Sequence, residues 1–200
     1  VFGISLPGFG CNKELDMMLV LDRSGSIDPT ELATLKTAAN AFVTALAPSA
    51  PGVHIGQSSF STTGSLDLHL TGVEADVHTA INGLVSSSLT NLKEGIELAT
   101  AELDDTHVHE RPAVKDVMVI ITDGNPNQPP DETNARAVAK AAADAARAAG
   151  IEVFVVGVGD DVDATYLAND IANSGSPTHY FSATKFDDLQ TVLESLVTCS

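Results

Sequence analysis

Apolar and polar positions change period repeatedly along the chain, and the changes predict strands alternating with helices. Residues 16–21, 117–122 and 152–158 are nearly continuous runs of Val, Ile, Leu, Met and Phe. Runs apolar on both faces predict strands in the middle of a sheet, where neither face meets water. Residues 53–60 form a further strand pattern, and Ser65 to Leu70 alternates strictly, as a half-exposed edge strand does. A hairpin through Ser61-Thr62-Thr63-Gly64 joins those two and makes the edge strand antiparallel. Residues 179–181 complete the set as a short last strand.

Helical spacing fills the intervals. Asp28-Pro29-Thr30-Glu31 offers an N-cap, a proline for the first turn and a capping-box glutamate, and Leu32, Leu35, Ala39, Phe42 and Leu46 follow on one face. Further helices are predicted over 74–85, 91–103, 132–149 (stopped by Gly150), 164–172 and 186–197. The alternation predicts an α/β fold: a doubly wound, mainly parallel sheet of about six strands, one antiparallel edge strand, and helices on both faces. Two hundred residues suit one domain, so 1–200 are assigned to a single unit. The longest irregular stretch, 104–115, reads as a surface loop.

Charge narrows the partners. Ten Lys and Arg against 27 Asp and Glu give a formal charge of −17, which repels phosphate backbones and anionic membranes and so disfavours nucleic acid as a partner. The apolar runs are strand-sized, far below the roughly 20 residues of a membrane span, so no direct membrane insertion is expected. The two cysteines stand near opposite ends, Cys11 before the first strand and Cys199 at the close of the last helix. That placement suggests a disulfide clasping residues 1–14 to the C-terminus, an oxidising compartment, and up to about 5 kcal/mol from closing so long a loop. Two unpaired thiols in a cytosolic protein are the alternative.

The chemistry gathers at strand ends. The first buried strand runs into Asp22-Arg23-Ser24-Gly25-Ser26, and a second central strand runs into Thr122-Asp123-Gly124. Ligands of open α/β sheets bind along the carboxyl edge, so if these strands are neighbours, Asp22 and Asp123 meet across one crevice. Two carboxylates with several hydroxyls make an all-oxygen site suited to a hard cation such as Mg²⁺, Ca²⁺ or Mn²⁺, which also relieves the repulsion between the carboxylates. Capping of a turn and a helix by the same residues is the plainer alternative.

Asp22, Ser24 and Ser26, with Asp123 in Thr-Asp-Gly, resemble the metal-ion-dependent adhesion site of von Willebrand factor A domains. The resemblance runs from Cys11 through Val153-Phe154-Val155-Val156-Gly157-Val158-Gly159 to Cys199. It implies a third ligand segment before the middle helix, where Ser88-Leu89-Thr90-Asn91-Leu92 makes Thr90 the matching position; the family usually has glycine where Leu89 stands. It further implies a non-enzymatic adhesion module of a larger cell-surface or matrix protein, monomeric as an isolated domain. Its metal, Mg²⁺ foremost, takes a carboxylate from a protein or glycan ligand. The last helix, 186–197, is expected to shift with affinity. The cysteine layout is similar to that of extracellular adhesive members, including surface adhesins of gliding apicomplexan parasites.

Rival readings are an intracellular scaffold of an ATP-driven chelatase-type complex and a metal-dependent hydrolase. A hydrolase lacks support in the sequence, which has no Gly-x-Ser-x-Gly elbow and no histidine near Ser24 or Ser26. Gly157-Val158-Gly159 lacks the third glycine of a dinucleotide fingerprint. His107-Val108-His109-Glu110 could offer imidazoles and a carboxylate to a second metal, but a solvated histidine pair is the ordinary expectation.

Overall fold

The computed structural model describes residues 14–175 and 178–197. Six strands form one sheet in the order β3-β2-β1-β4-β5-β6. These are β1 (Leu15–Asp22), β2 (Val53–Phe60), β3 (Gly64–Thr71), β4 (Asp116–Thr122), β5 (Glu152–Val158) and β6 (Tyr180–Ala183). All neighbours pair in parallel except β3, which runs antiparallel to β2. The expected architecture is therefore the observed one. Cys11 and Cys199 lie outside the described residues.

The continuous apolar runs are central because the sheet is covered on both sides. Met17, Leu19 and Leu21 of β1 face one apolar cluster, with α1 (Pro29–Leu46), α2 (Glu74–Asn82) and α6 (Phe186–Val197). Met18 and Val20 face a second cluster, with α3 (Leu92–Glu102), α4 (Glu132–Ala148) and α5 (Ala164–Tyr166). Every residue of β1 is buried. The α1 N-cap forms as expected: the Asp28 carboxylate accepts from the Thr30 and Glu31 amides, and Glu31 accepts from the Asp28 amide.

Three elements depart from the sequence expectation. The α2 helix ends at Asn82, with Gly83 as its C-cap, and leaves Val85 exposed. The helix begun by α5 continues as a π turn over Leu167–Ile171, with the Ala172 amide bonded to the Leu167 carbonyl. There the Arg147 guanidinium donates to the carbonyls of Asp170, Ile171 and Ala172, which would otherwise end the helix unpaired. The third is β3, whose strict alternation does not survive pairing. Register shifts around Gln57 send Leu66 and Leu70 to one cluster and Leu68 to the other.

Residues 104–115 do not behave as a free surface loop. Glu110 is buried, and Arg111 reaches the fully buried Asp16 on β1. Asp116 opens β4 beside them with one carboxylate oxygen buried and unpartnered. Burial, followed by the charges of Glu110 and Asp16, pushes its pKa up to about 7. Between about pH 4 and pH 7 the folded protein thus holds a proton on Asp116 that the unfolded chain has released. The resulting contribution favours folding at low pH, declines as pH rises from about 4 to about 7, and is absent above. Asp116→Asn is accordingly expected to stabilise the domain by about 1 kcal/mol at pH 8, after allowance for solvent screening, and not at pH 4.5. Urea unfolding at the two pH values measures this, and an equal effect at both would refute it.

Candidate metal centre

The sheet order reverses at β1 and β4, which are direct neighbours. Their following helices leave to opposite faces, α1 to one and α4 to the other. A crevice opens between the departing loops at the carboxyl edge, as such topologies require. It encloses ≈ 460 Å³ and is lined by Ser26, Thr90, Asp123 and Gly124, with Glu31, Asp161 and Lys185 also contributing to its walls.

Of the predicted residues Ser26, Thr90 and Asp123 line it, and the buried Asp22 and Ser24 adjoin them. Asp22 ends β1 fully buried; its Oδ1 accepts from the Ser24 amide at 2.8 Å and its Oδ2 from the Thr122 hydroxyl at 2.6 Å. Ser24 Oγ and Ser26 Oγ stand 3.0 Å apart, and Ser26 Oγ donates to Asp123 Oδ1 at 2.8 Å. Thr90 lies just before α3 and is buried. A β-carbon placed on Gly124 would sit 3.8 Å from Ser26 Oγ and 3.9 Å from Thr90 Oγ1, so both hydroxyls border the same small space. Three segments far apart in sequence thus bring two carboxylates and three hydroxyls together.

Several residues that the sequence did not single out hold this arrangement. The Thr90 amide donates to Asn127 Oδ1, and the Thr90 carbonyl accepts from the amides of Asn127 and Gln128, so the loop after β4 fixes the threonine. Ser86 Oγ donates to the carbonyls of Ser24 and Ile27. The Ser87 amide donates to the Arg23 carbonyl, and the Gly25 amide to the Ser88 carbonyl. A side chain at Gly25 would come within 3.0 Å of that Ser88 oxygen, so glycine permits the approach. The serine run is therefore a clamp on the Asp-x-Ser-x-Ser loop, and it serves with Leu89 at the usual glycine position.

Burial sets the electrostatics of the two carboxylates. Burial raises the pKa of Asp22 despite the hydrogen bonds from Ser24 and Thr122 that oppose the shift. Asp123 is pushed up to about 7, first by burial and then by the charge of Asp22. No Lys, Arg or His appears among the groups that perturb either carboxylate. A hard divalent cation fits this donor set, because it supplies the charge and accepts carboxylate and hydroxyl oxygens.

Topology and crevice together define a doubly wound domain whose candidate site lies at the switch point of its sheet. The chain belongs to the von Willebrand factor type A domain family, whose model matches residues 16–195. It is 26% identical over 196 residues to the collagen alpha-5(VI) chain of Mus musculus, covering 94% of this chain and 7% of that one. The chain therefore spans a small part of that relative. Among solved structures it resembles proximal thread matrix protein 1 from the mussel byssus with a zinc-occupied MIDAS motif. The TM-score is 0.75 at 22% identity, over 94% of this chain and 46% of that one. It also resembles the manganese-loaded TRAP protein of Plasmodium vivax, with a TM-score of 0.73 at 16% identity, over 94% and 75% of the respective chains. Domains of this kind thus occur in matrix proteins and adhesins.

Proposed function

We propose that the domain is a cation-dependent adhesion module in which Asp22, Ser24, Ser26, Thr90 and Asp123 hold a divalent metal, directly or through water. The convergence of three separate segments on one all-oxygen donor set carries the reading. Mg²⁺ is the ion we expect at rest, with Ca²⁺ and Mn²⁺ able to replace it. When bound, the cation offers an open coordination position to a carboxylate of a protein or glycan ligand. Asp22 and Asp123 supply negative charge, while the hydroxyls of Ser24, Ser26 and Thr90 add donors without charge, which leaves the ion electrophilic. Among the described residues Lys185 is the one basic side chain lining the crevice, and it suits an incoming acidic group.

Catalysis is not part of the proposal. None of the six histidines lines the crevice. Among the described residues no helix is long and apolar enough to cross a membrane. An extracellular or cell-surface setting, a disulfide between Cys11 and Cys199, and a monomeric isolated domain complete the reading. Thr184, Lys185 and Phe186 line the crevice where α6 begins, so a change there could reach that helix. Binding to arrayed matrix proteins and glycans is expected in millimolar Mg²⁺ and should disappear with chelator. Binding that ignores the chelator would defeat the proposal.

A further inference from the structure

We propose that His69, Glu102, His107 and His109 form a second metal site, for zinc or an ion of like preference, at the end of the domain opposite the crevice. Each can present one ligand atom, and the four atoms lie within 4.8 Å of one another. They come from three segments: His69 from edge strand β3, Glu102 from the last position of α3, and the two histidines from the loop before β4. Because α3 begins beside Thr90 and ends at Glu102, the helix separates this cluster from the crevice by its full length.

The cluster is built around a buried carboxylate. Glu102 is 2% exposed, and its Oε1 accepts from the Leu70 amide at 2.9 Å, which fixes its orientation as a supporting hydrogen bond does in metal centres. Its Oε2 meets His69 Nδ1 at 2.9 Å. His107 Nε2 and His109 Nδ1 approach the same carboxylate to 3.5 Å, too far for good hydrogen bonds. The Nδ1 atoms of both loop histidines are buried without a hydrogen-bond partner. His69 and His109 stack at 4.3 Å between ring centroids, and His107 lies 5.3 Å from His109.

Hydrogen bonding alone explains this poorly. One carboxylate cannot balance three imidazolium charges, and three neutral rings leave buried nitrogens unsatisfied. A metal ion binds neutral imidazole and carboxylate together, so it removes the charge imbalance and gives the buried His109 Nδ1, which faces Glu102, a partner. Three imidazoles and one carboxylate favour zinc over Mg²⁺ or Ca²⁺, which select oxygen. Zinc ligands at roughly 2.0–2.1 Å in a tetrahedron stand about 3.3 Å apart, a contraction within reach of side-chain rotation by three partly exposed histidines. Four protein ligands leave no open position, so the site is structural. It would fasten the loop to β3 and α3. The sequence alone offered His107 and His109 with Glu110 as the carboxylate; the structure instead sets Glu110 with Asp16 and Asp116 and brings His69 and Glu102 to the histidine pair.

Titration of the whole chain with Co²⁺ and Zn²⁺ in excess Mg²⁺ tests the site, because Mg²⁺ competes at the oxygen donors of the crevice and the cobalt spectrum tells a nitrogen-ligated, four-coordinate ion from a six-coordinate one. Wild type is expected to bind one Co²⁺ with the intense visible absorption of a nitrogen-ligated, four-coordinate ion, and Zn²⁺ should displace it and raise the melting temperature. The double variant His107→Ala/His109→Ala replaces partly exposed loop side chains. It should fold by circular dichroism, bind Zn²⁺ at least roughly 100-fold more weakly and lose the melting shift. Wild-type affinity in the folded double variant would overturn the proposal. So would a wild-type cobalt spectrum showing only weak six-coordinate absorption, or no binding.

Discussion

Exchange of Asp22 for asparagine is expected to weaken Mg²⁺ binding roughly 100-fold, about 2.7 kcal/mol, while leaving the metal-free domain at least as stable as wild type. The two halves of this result share one cause. Asp22 is fully buried, and burial raises its pKa, so its charge works against folding when no cation is near. Asparagine keeps an oxygen to accept from the Ser24 amide, and the Thr122 hydroxyl can turn to accept from the new amide. The geometry survives and the charge does not. Calorimetric Mg²⁺ titration, with melting temperatures with and without metal, reads both quantities. Equal Mg²⁺ affinity in the two proteins would remove the basis of the proposed function. A large loss of metal-free stability would show instead that the Asp22 charge is needed for the fold.

The sequence revealed the fold to the extent that local pattern decides it. Runs such as Val117 to Ile121 have no polar face and belong inside a sheet wherever they occur, and the Asp28 capping box marks a helix start within four residues. The candidate metal-site residues were legible for a related reason. Asp22 and Asp123 end buried strands, and a sheet of this topology has one edge at which such residues meet. What holds them was not legible. The bond from Asn127 to Thr90 spans 37 residues, and the bond from Ser86 to Ser24 spans 62. Serine and asparagine in loops carry no periodicity that could foretell either partner. The same limit hid the relation of His69 to His107 and His109, and the register shift in β3. Those features depend on how distant segments pack.

The loop before β4 offers the sharpest case, and it leads to a large expected effect on stability. Asp16 has no exposed surface, and among the described residues its only strong partner is Arg111, 95 residues away. The Arg111 Nε donates to Asp16 Oδ1 at 2.9 Å, its backbone amide donates to Oδ2 at 2.9 Å, and its terminal nitrogen also reaches the Leu15 carbonyl at 2.9 Å. Forked contacts of this kind suit arginine and neutralise the carboxylate where water cannot. Arg111→Met keeps most of the aliphatic stem but strands a charge inside the sheet. His54, 4.0 Å from Asp16, is too distant to replace the lost bonds. A loss of about 3–5 kcal/mol is expected, or roughly 6–20 °C in melting temperature for a domain of this size. Asp16→Asn in the Arg111→Met background should recover a substantial part, because it removes the stranded charge while keeping the shape. Urea unfolding of the two single variants and the double variant measures the coupling. If Arg111→Met cost less than about 1 kcal/mol, the pair would be no stronger than a surface contact, and the loop would be the solvated segment that its composition suggests.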